Sequence, residues 1–115
     1  MNVVVLRGKL SRPPEMRELD SGTRLVRYEI TSRDAEGKAE TAPVSWLGAP
    51  ESAGTYDAGD EVVVVGRVRR RWFRRGSITE SRVEVAAELV VSARHGKRVT
   101  SAVDRAIAVL QSVDV

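Results

Sequence analysis

A chain of 115 residues, of which 30% are charged, is long enough for one domain with one modest core. It has no cysteine, which excludes disulfides, thiolate nucleophiles and cysteine-based zinc sites. No apolar run is long enough to span a bilayer, and the first residues lack the pattern of a signal peptide. We therefore expect a cytoplasmic protein that does not contact membranes.

Alternating apolar and polar residues predict five β-strands. They cover residues 2–10, 23–33, 40–47, 61–73 and 77–92. Pro43 indicates an edge or a bulge in the third strand, because proline has no N–H to donate. A short helical turn fits residues 50–53. The residues of the fifth strand that we expect to face inward are Val83, Val85, Ala87, Leu89 and Val91. Five short strands separated by turn signals predict a small all-β barrel or sandwich.

From Thr100 the apolar spacing becomes helical. The apolar stripe consists of Val103, Ala106, Ile107, Leu110 and Val113. Ser101 and Asp104 have the spacing of a capping box, which predicts a helix from about residue 101 to 112. We divide the chain into a barrel domain, residues 1–95, and an amphipathic helix, residues 96–115. An apolar stripe left in water would be a sticky patch, so we expect it in a subunit interface; its own barrel is the alternative.

Residues 66–76 concentrate the positive charge of the chain. They read Gly-Arg-Val-Arg-Arg-Arg-Trp-Phe-Arg-Arg-Gly and follow a strongly apolar strand. Six arginines and no acid give this stretch +6, so the rest of the chain sums to −3 out of a total of +3. Cations displace counterions from phosphates, and flat rings stack on unpaired bases, so a nucleic-acid-binding hairpin is predicted. A solvated edge strand, protected from aggregation by its arginines, is the alternative.

The predicted contacts to phosphates and bases in this hairpin are Arg67, Arg69, Arg70, Arg71, Trp72, Phe73, Arg74 and Arg75. A second set that would extend the path is Arg7, Lys9, Arg17, Arg27 and Arg33. Strand alternation places Phe73 on one face with Arg69 and Arg71, and Trp72 on the opposite face. The same rule puts Trp46 on the inward face with Val44, so we expect it in the core.

Catalytic and metal-binding patterns are missing from the sequence. His95 is the only histidine, and its position between Arg94 and Gly96 is typical of a solvated residue. Asp57 and Asp60 flank Ala-Gly, which favours an ordinary turn over a pair of catalytic carboxylates. We therefore expect no enzyme, no metal and no cofactor.

Two segments resemble the bacterial single-stranded DNA-binding proteins. The first is Asn-Val-Val-Val-Leu-Arg-Gly-Lys-Leu at residues 2–10, followed by Pro-Glu-Met-Arg at 14–17 and Ser-Gly at 21–22. The second is Gly-Asp-Glu-Val-Val-Val-Val-Gly-Arg-Val at 59–68, after which residues 69–73 fall at the start of that family's basic, aromatic hairpin. The resemblance spans residues 2–92 and implies a five-stranded Greek-key OB-fold barrel, whose sheet face and loops take up oligonucleotides. Primosomal relatives share this fold.

The resemblance implies a homo-oligomer, a dimer or tetramer, that binds single-stranded DNA with little sequence preference in DNA replication, repair or recombination. It also implies a location on the nucleoid. The chain lacks the family's glycine-rich linker and acidic tail, so we expect no recruitment of partner proteins through such a tail. It also has Thr41 and Leu47 where the family has aromatic residues on the third strand.

Two other functions stay open at this point. An OB-fold protein–protein module, resembling the primosomal relatives, would bind DNA weakly or not at all. A single-stranded RNA binder would use the same stacking platforms, which accept any base.

Overall fold

The protein is described by a computed structural model over residues 1–112. Its strands are β1 Val4–Leu10, β2 Glu15–Glu18, β3 Arg24–Arg33, β4 Ala39–Leu47, β5 Glu61–Arg75 and β6 Ile78–Ser92. A 3₁₀ turn covers Glu51–Gly54, where a short helical turn was expected, and helix α1 covers Gly96–Gln111. The five predicted strands are present. The added strand is β2, whose four exposed residues show no apolar alternation in the sequence.

Five of the strands close into a barrel. The sheet order is β1-β5-β6-β4-β3, and β1 returns to β3 through the pairs Lys9–Thr31 and Leu10–Ile30. β2 pairs antiparallel with the first residues of β3, as an edge strand of the same sheet. The contact of β4 with β6 is parallel and in register only at Val44–Val85 and its neighbour, whereas the other pairings are antiparallel. The predicted all-β OB-fold barrel with a carboxy-terminal helix is therefore confirmed.

The interior of the barrel is filled by branched aliphatic side chains, and the 3₁₀ turn packs against this core. Val26, Ile30 and Val64 are completely buried, and Ala53 of the 3₁₀ turn belongs to the same core. The hydroxyl of Tyr28 donates a 2.6 Å hydrogen bond to the carbonyl oxygen of Ala53, which fastens the turn to β3. Burial raises the pKa of Tyr28 above its ordinary value.

Trp46 also lies in this core, as the alternation on the third predicted strand indicated. The neighbouring position on the other side of β4, Ser45, faces away from the barrel interior and carries none of the core packing.

A β-bulge interrupts the pairing of β5 with β6. Val65 lies opposite Leu89 but Gly66 lies opposite Ala87, so Glu88 has no partner in the ladder. One extra residue shifts the alternation of the following residues to the other face of the sheet. Gly66 is required here, because a Cβ at this position would collide with the backbone of the facing strand.

The bulge overturns one prediction for β6. Leu89 and Val91 were expected to face the barrel interior. This is wrong for Val91, whereas Leu89 is half-buried and packs against both the interior core and the cluster beneath α1. Val90 fills the interior instead, while Val91 turns outward beneath α1. Upstream of the bulge, Val85 and Ala87 face inward as predicted. The same prediction is wrong for Val83, which lies beyond the end of the barrel and is exposed.

Helix α1 begins five residues earlier than predicted. His95 is the residue before its first turn, and the N–H of Val99 bonds to the His95 carbonyl oxygen at 3.0 Å. Ser101 and Asp104 are therefore inside the helix, and the predicted capping box is wrong. Within residues 1–112, no helix is long and apolar enough to cross a membrane.

The helix packs on the outer face of its own barrel through small side chains. Ala102 and Ala106 are buried against Val63 and Val65 of β5 and Val91 of β6. Alanines allow the helix axis to approach the sheet closely, because no long side chain separates them.

The predicted apolar stripe is not the buried stripe. Of its members, Ala106 is buried, whereas Ile107 is 45% exposed and Leu110 is 54% exposed. Val103 is half-buried, and Val113 lies outside the residues that the structure describes. The helix thus meets the barrel by one face and presents larger aliphatic side chains to its surroundings by another.

Candidate nucleic-acid interface

The hairpin of β5 and β6 extends beyond the barrel. Each strand has 15 residues, but β1 accompanies β5 only as far as Gly66, and β4 meets β6 only from Val85. Residues 67–84 therefore form a two-stranded ribbon whose strands pair only with each other among residues 1–112. Gly76 has a φ of 63° and Ser77 follows it with an ordinary backbone, as in the two-residue turns that glycine permits in hairpins.

One face of the ribbon carries alternating arginines and Phe73. Arg71 pairs with Arg82 and Phe73 pairs with Glu80, and residues that pair directly project from the same face of a sheet. Phe73 thus shares a face with Arg69 and Arg71, and Trp72 lies on the other, as the alternation predicted. The guanidinium of Arg82 lies 6.0 Å from the centre of the Phe73 ring. We call this side the sheet face of the ribbon.

The sheet face continues across β3 and β4 into a depression of about 240 Å³. Its lining includes four arginines and three glutamates, namely Arg12, Arg27, Arg71, Arg82, Glu15, Glu29 and Glu84. Arg12 is paired with Glu29 at 3.2 Å. Arg27, Arg71 and Arg82 form no ion pair within residues 1–112, so the positive charge of this surface is not cancelled.

Glu84 anchors the base of the ribbon through a buried network. Its side chain is only 5% exposed, and it accepts a 2.8 Å hydrogen bond from the hydroxyl of Ser45. Arg69 donates to the other carboxylate oxygen from Nε at 3.1 Å and from Nη2 at 3.0 Å. Both nitrogens share one carboxylate oxygen, and each contact is a charge-assisted hydrogen bond, which is stronger than a bond between neutral groups. The charge of Arg69 is therefore already balanced inside the protein.

The opposite side of the ribbon, its reverse face, exposes Trp72. The indole is 65% exposed, and the guanidinium of Arg70 lies 5.9 Å from its centre. Arg70 is held there by a 2.7 Å hydrogen bond to the hydroxyl of Ser81 on the paired strand. Val68 and Val83 are exposed beside them. Each face of the ribbon thus presents one aromatic ring with an arginine over it.

Three more of the predicted arginines stand on the ribbon. Arg67, Arg74 and Arg75 are exposed and make no ion pair in the described part of the chain. Their guanidinium groups are therefore open to an anionic ligand.

The second predicted set is scattered over the barrel. Arg27 lines the depression beside the ribbon. Arg17 lies on β2 opposite Leu25, and Lys9 lies where β1 meets β3. Arg7 is engaged by Glu61 at 2.6 Å, and Arg33 donates at 2.8 Å to a carbonyl in the β3–β4 connection. Of this set, the structure brings only Arg27 to the same depression as Arg71.

Sequence reasoning missed Arg12 and Arg82. Arg82 was counted as an outward residue of the fifth strand, but its neighbour across the hairpin was not considered. The signal was available, since a two-residue turn at residues 76–77 fixes the register and sets Arg82 opposite Arg71. Arg12 lies in a proline-containing connection, where no periodicity indicates which way a side chain points.

The barrel and the ribbon together match a known protein family. A family model described as the single-strand binding protein family matches residues 1–93. No curated protein matches the chain at a significant level. The matched segment includes all six strands and ends just before α1. Because it covers far more than half of the 115 residues, the chain belongs to the single-strand binding protein family.

Proposed function

We propose that the protein binds single-stranded DNA with little sequence preference, through the ribbon and the adjoining depression, in DNA replication, repair or recombination. Membership of the single-strand binding protein family supports single-stranded DNA binding in general. The observation that carries the finer proposal is the ribbon itself, which holds seven arginines and two aromatic rings on a hairpin that leaves the barrel. A merely soluble edge strand has no need for an exposed indole.

Charge supplies most of the affinity in this mechanism. Phosphates are contacted by the six ribbon arginines that no carboxylate engages within residues 1–112, namely Arg67, Arg70, Arg71, Arg74, Arg75 and Arg82. Each phosphate contact releases a counterion, which makes binding strongly dependent on salt. Arg69 contributes less than its neighbours, since Glu84 already balances it.

Stacking distinguishes single strands from duplexes. Trp72 and Phe73 lie on opposite faces of the ribbon, so a strand that passes around the hairpin meets a ring on each side. Unpaired bases have free faces for such rings, whereas paired bases do not. Ring stacking and phosphate contacts read no base edges, so they leave sequence preference low.

We extend the proposal to a homo-oligomer, a dimer or a tetramer, that acts on the nucleoid in the cytoplasm. The exposed stripe of Ile107 and Leu110, with Val109 beside it, supports the oligomer. Burial of these aliphatic side chains by a second subunit would be favourable, because it removes apolar surface from water.

The test is a titration of labelled single-stranded DNA, duplex DNA and single-stranded RNA at about 50 mM and about 200 mM salt. We expect single-stranded DNA to bind more tightly than duplex DNA and to lose affinity as salt rises. Replacement of Arg67, Arg71, Arg74 and Arg75 by alanine removes most of this binding.

The control is the pair Lys38→Ala and Arg94→Ala, which removes exposed cations away from the ribbon. Equal affinity for single-stranded and duplex DNA, or indifference to the four arginine substitutions, contradicts the proposal. Tighter binding of RNA favours the RNA alternative, and no binding of any nucleic acid favours the protein–protein module.

A further inference from the structure

A second concave surface lies beside α1, away from the ribbon. It is a groove of about 490 Å³ between α1, the end of β6 and the 3₁₀ turn. Trp46, Leu89 and Ala102 form part of its floor, while Lys97, Arg98 and Arg105 project from the helix along its rim. The groove and the depression beside the ribbon have no lining residue in common.

The charge of the groove has one sign. Its lining includes three cations and, over residues 1–112, no acidic side chain. Lys97, Arg98 and Arg105 form no ion pair in that same range. The first turn of α1 contains no acid, and the side chain of His95 does not cap it, so the partial positive charge of the helix start adds to the three cations. An anionic ligand is complementary to this surface.

The floor discriminates between two anionic ligands. Trp46 is only 9% exposed, because its ring belongs to the barrel core, and Leu89 and Ala102 are aliphatic. The other aromatic residue of the lining, Tyr56, is half-buried and packs against the core, with its ring edge-to-face to Tyr28. The groove therefore offers a nucleic acid base much less exposed ring surface than the ribbon does. Aliphatic side chains of a peptide fit such a floor, since they need only apolar contact and exclusion of water.

We propose that this groove binds an acidic segment of a partner protein, with apolar side chains on the floor and carboxylates on the rim cations. Basic residues that border an apolar groove give such a segment both affinity and orientation. The proposal does not rest on the function of the ribbon, because the two surfaces are separate. A protein built in this way holds a partner at α1 while the ribbon stays accessible.

The chain supplies its own reporter for this groove. It has two tryptophans, so Trp72→Phe leaves Trp46, in the groove floor, as the single fluorophore of that kind. The probe is a synthetic peptide of about twelve residues in which Asp and Glu alternate with Leu and Ile. We expect saturable binding by fluorescence anisotropy of a labelled peptide, together with a shift in Trp46 emission at the same concentrations.

Matched variants assign the binding to the groove. Arg98→Glu with Arg105→Glu weakens peptide binding by about tenfold or more, because two attractive charges become repulsive. Lys38→Glu with Arg94→Glu changes the net charge equally at exposed positions outside the groove and leaves binding within about twofold of the parent. Ser101→Tyr, at an exposed helix position in the groove, weakens binding without altering charge. Far-ultraviolet circular dichroism verifies that each variant keeps the parent fold.

Three results overturn the proposal. The first is equal binding of a peptide whose apolar residues are replaced by serine, since the floor then plays no part. The second is equal loss of affinity in the two charge-reversal pairs. The third is a shift of Trp46 emission by oligo-dT that the peptide cannot displace, since the groove then belongs to the nucleic acid path.

Discussion

Arginines of the same ribbon use their charge in different ways. Arg69 faces the buried carboxylate of Glu84, whereas Arg71, two residues further along the same face, makes no ion pair within residues 1–112. The sequence alone does not distinguish the two, because both are arginines and alternation places them on the same face of the strand. The structure separates a residue that holds the ribbon to the barrel from one that is open to a ligand.

Arg69→Ala should therefore act mainly on stability. Removal of one member of a buried ion pair costs about 3–5 kcal/mol, and the cost here falls below that range because the Arg69 side chain is 36% exposed. Arg71→Ala should keep the melting temperature but reduce the slope of log K against log salt by about 0.7. Thermal unfolding and salt titrations of both variants test this. A reduced salt slope in Arg69→Ala and a reduced melting temperature in Arg71→Ala would show that Arg69, not Arg71, contacts phosphate.

A second comparison concerns the two tryptophans and Phe73. Trp72→Ala and Phe73→Ala should each weaken binding of single-stranded DNA by about 1–3 kcal/mol, the contribution of one stacked base. Trp46→Ala should instead lower the free energy of unfolding by about 3–5 kcal/mol, because it leaves a cavity in the core. Affinity and chemical denaturation are measured on the same preparations. A large loss of affinity in folded Trp46→Ala would contradict the core assignment.

Tyr28 predicts how stability depends on alkaline pH. Burial raises its pKa above the ordinary value of about 10, so the folded protein keeps the phenol protonated where the unfolded chain loses the proton. This contribution to stability is present below about pH 10 and declines as pH rises further. Tyr28→Phe loses the hydrogen bond to Ala53, about 0.5–1.5 kcal/mol, and should show a shallower alkaline decline by denaturant titration. An unchanged alkaline slope would assign the decline to other groups.

Among the elements, strands were predictable and their faces were only partly so. Alternation located all five barrel strands, since one side of each is buried. The bulge at Glu88 was missed. Gly66, a glycine within an apolar strand, is a signal for a bulge, but it does not specify which residue of β6 is left unpaired, because apolar residues lie on both sides of Glu88. The start of α1 was also hidden, since Gly96 and the two cations after it have the composition of a loop.

The docking of α1 follows from side-chain size. The sequence favours Ile107 and Leu110 as the buried stripe, because they have the larger apolar area. The structure buries Ala102 and Ala106 instead, which lets the helix lie close to the outer face of β5 and β6. Ile107 and Leu110 stay exposed, where the proposed second subunit would make a second contact with the helix.

Ile107→Asp with Leu110→Asp tests that second contact. If a second subunit covers the stripe, two buried charges are strongly unfavourable, and the molar mass by light scattering should fall to that of a smaller assembly with the circular dichroism unchanged. Thr100→Asp with Gln111→Asp is the control, because it adds the same charge at exposed polar positions of the helix. A parent mass in the first variant would mean that any oligomer is held by strands.

For the whole molecule, the separation of charge matters more than its total. Residues 67–84 contain seven arginines and two glutamates, a net charge of +5, so the remainder of the chain sums to −2 out of +3. A concentrated patch steers an anionic strand to one place on the surface. The location of this patch was evident from the sequence. Its division between two faces, and the neutralisation of Arg69 by Glu84, needed the register of the hairpin and the contact with β4.

The same separation fixes the salt dependence of the intact protein. Six of the seven ribbon arginines have no carboxylate partner within residues 1–112. On single strands, each phosphate contact contributes about −0.7 to the slope of log K against log salt. Six contacts therefore predict a slope of about −4. Arg70→Ala, Arg71→Ala and Arg82→Ala together should reduce the slope by about half and leave Glu84 paired. The control replaces Lys38, Arg94 and Arg105 by alanine, which lowers the net charge equally. A slope that follows net charge in both variants would show that the field of the whole protein, and not contact at the ribbon, binds the strand.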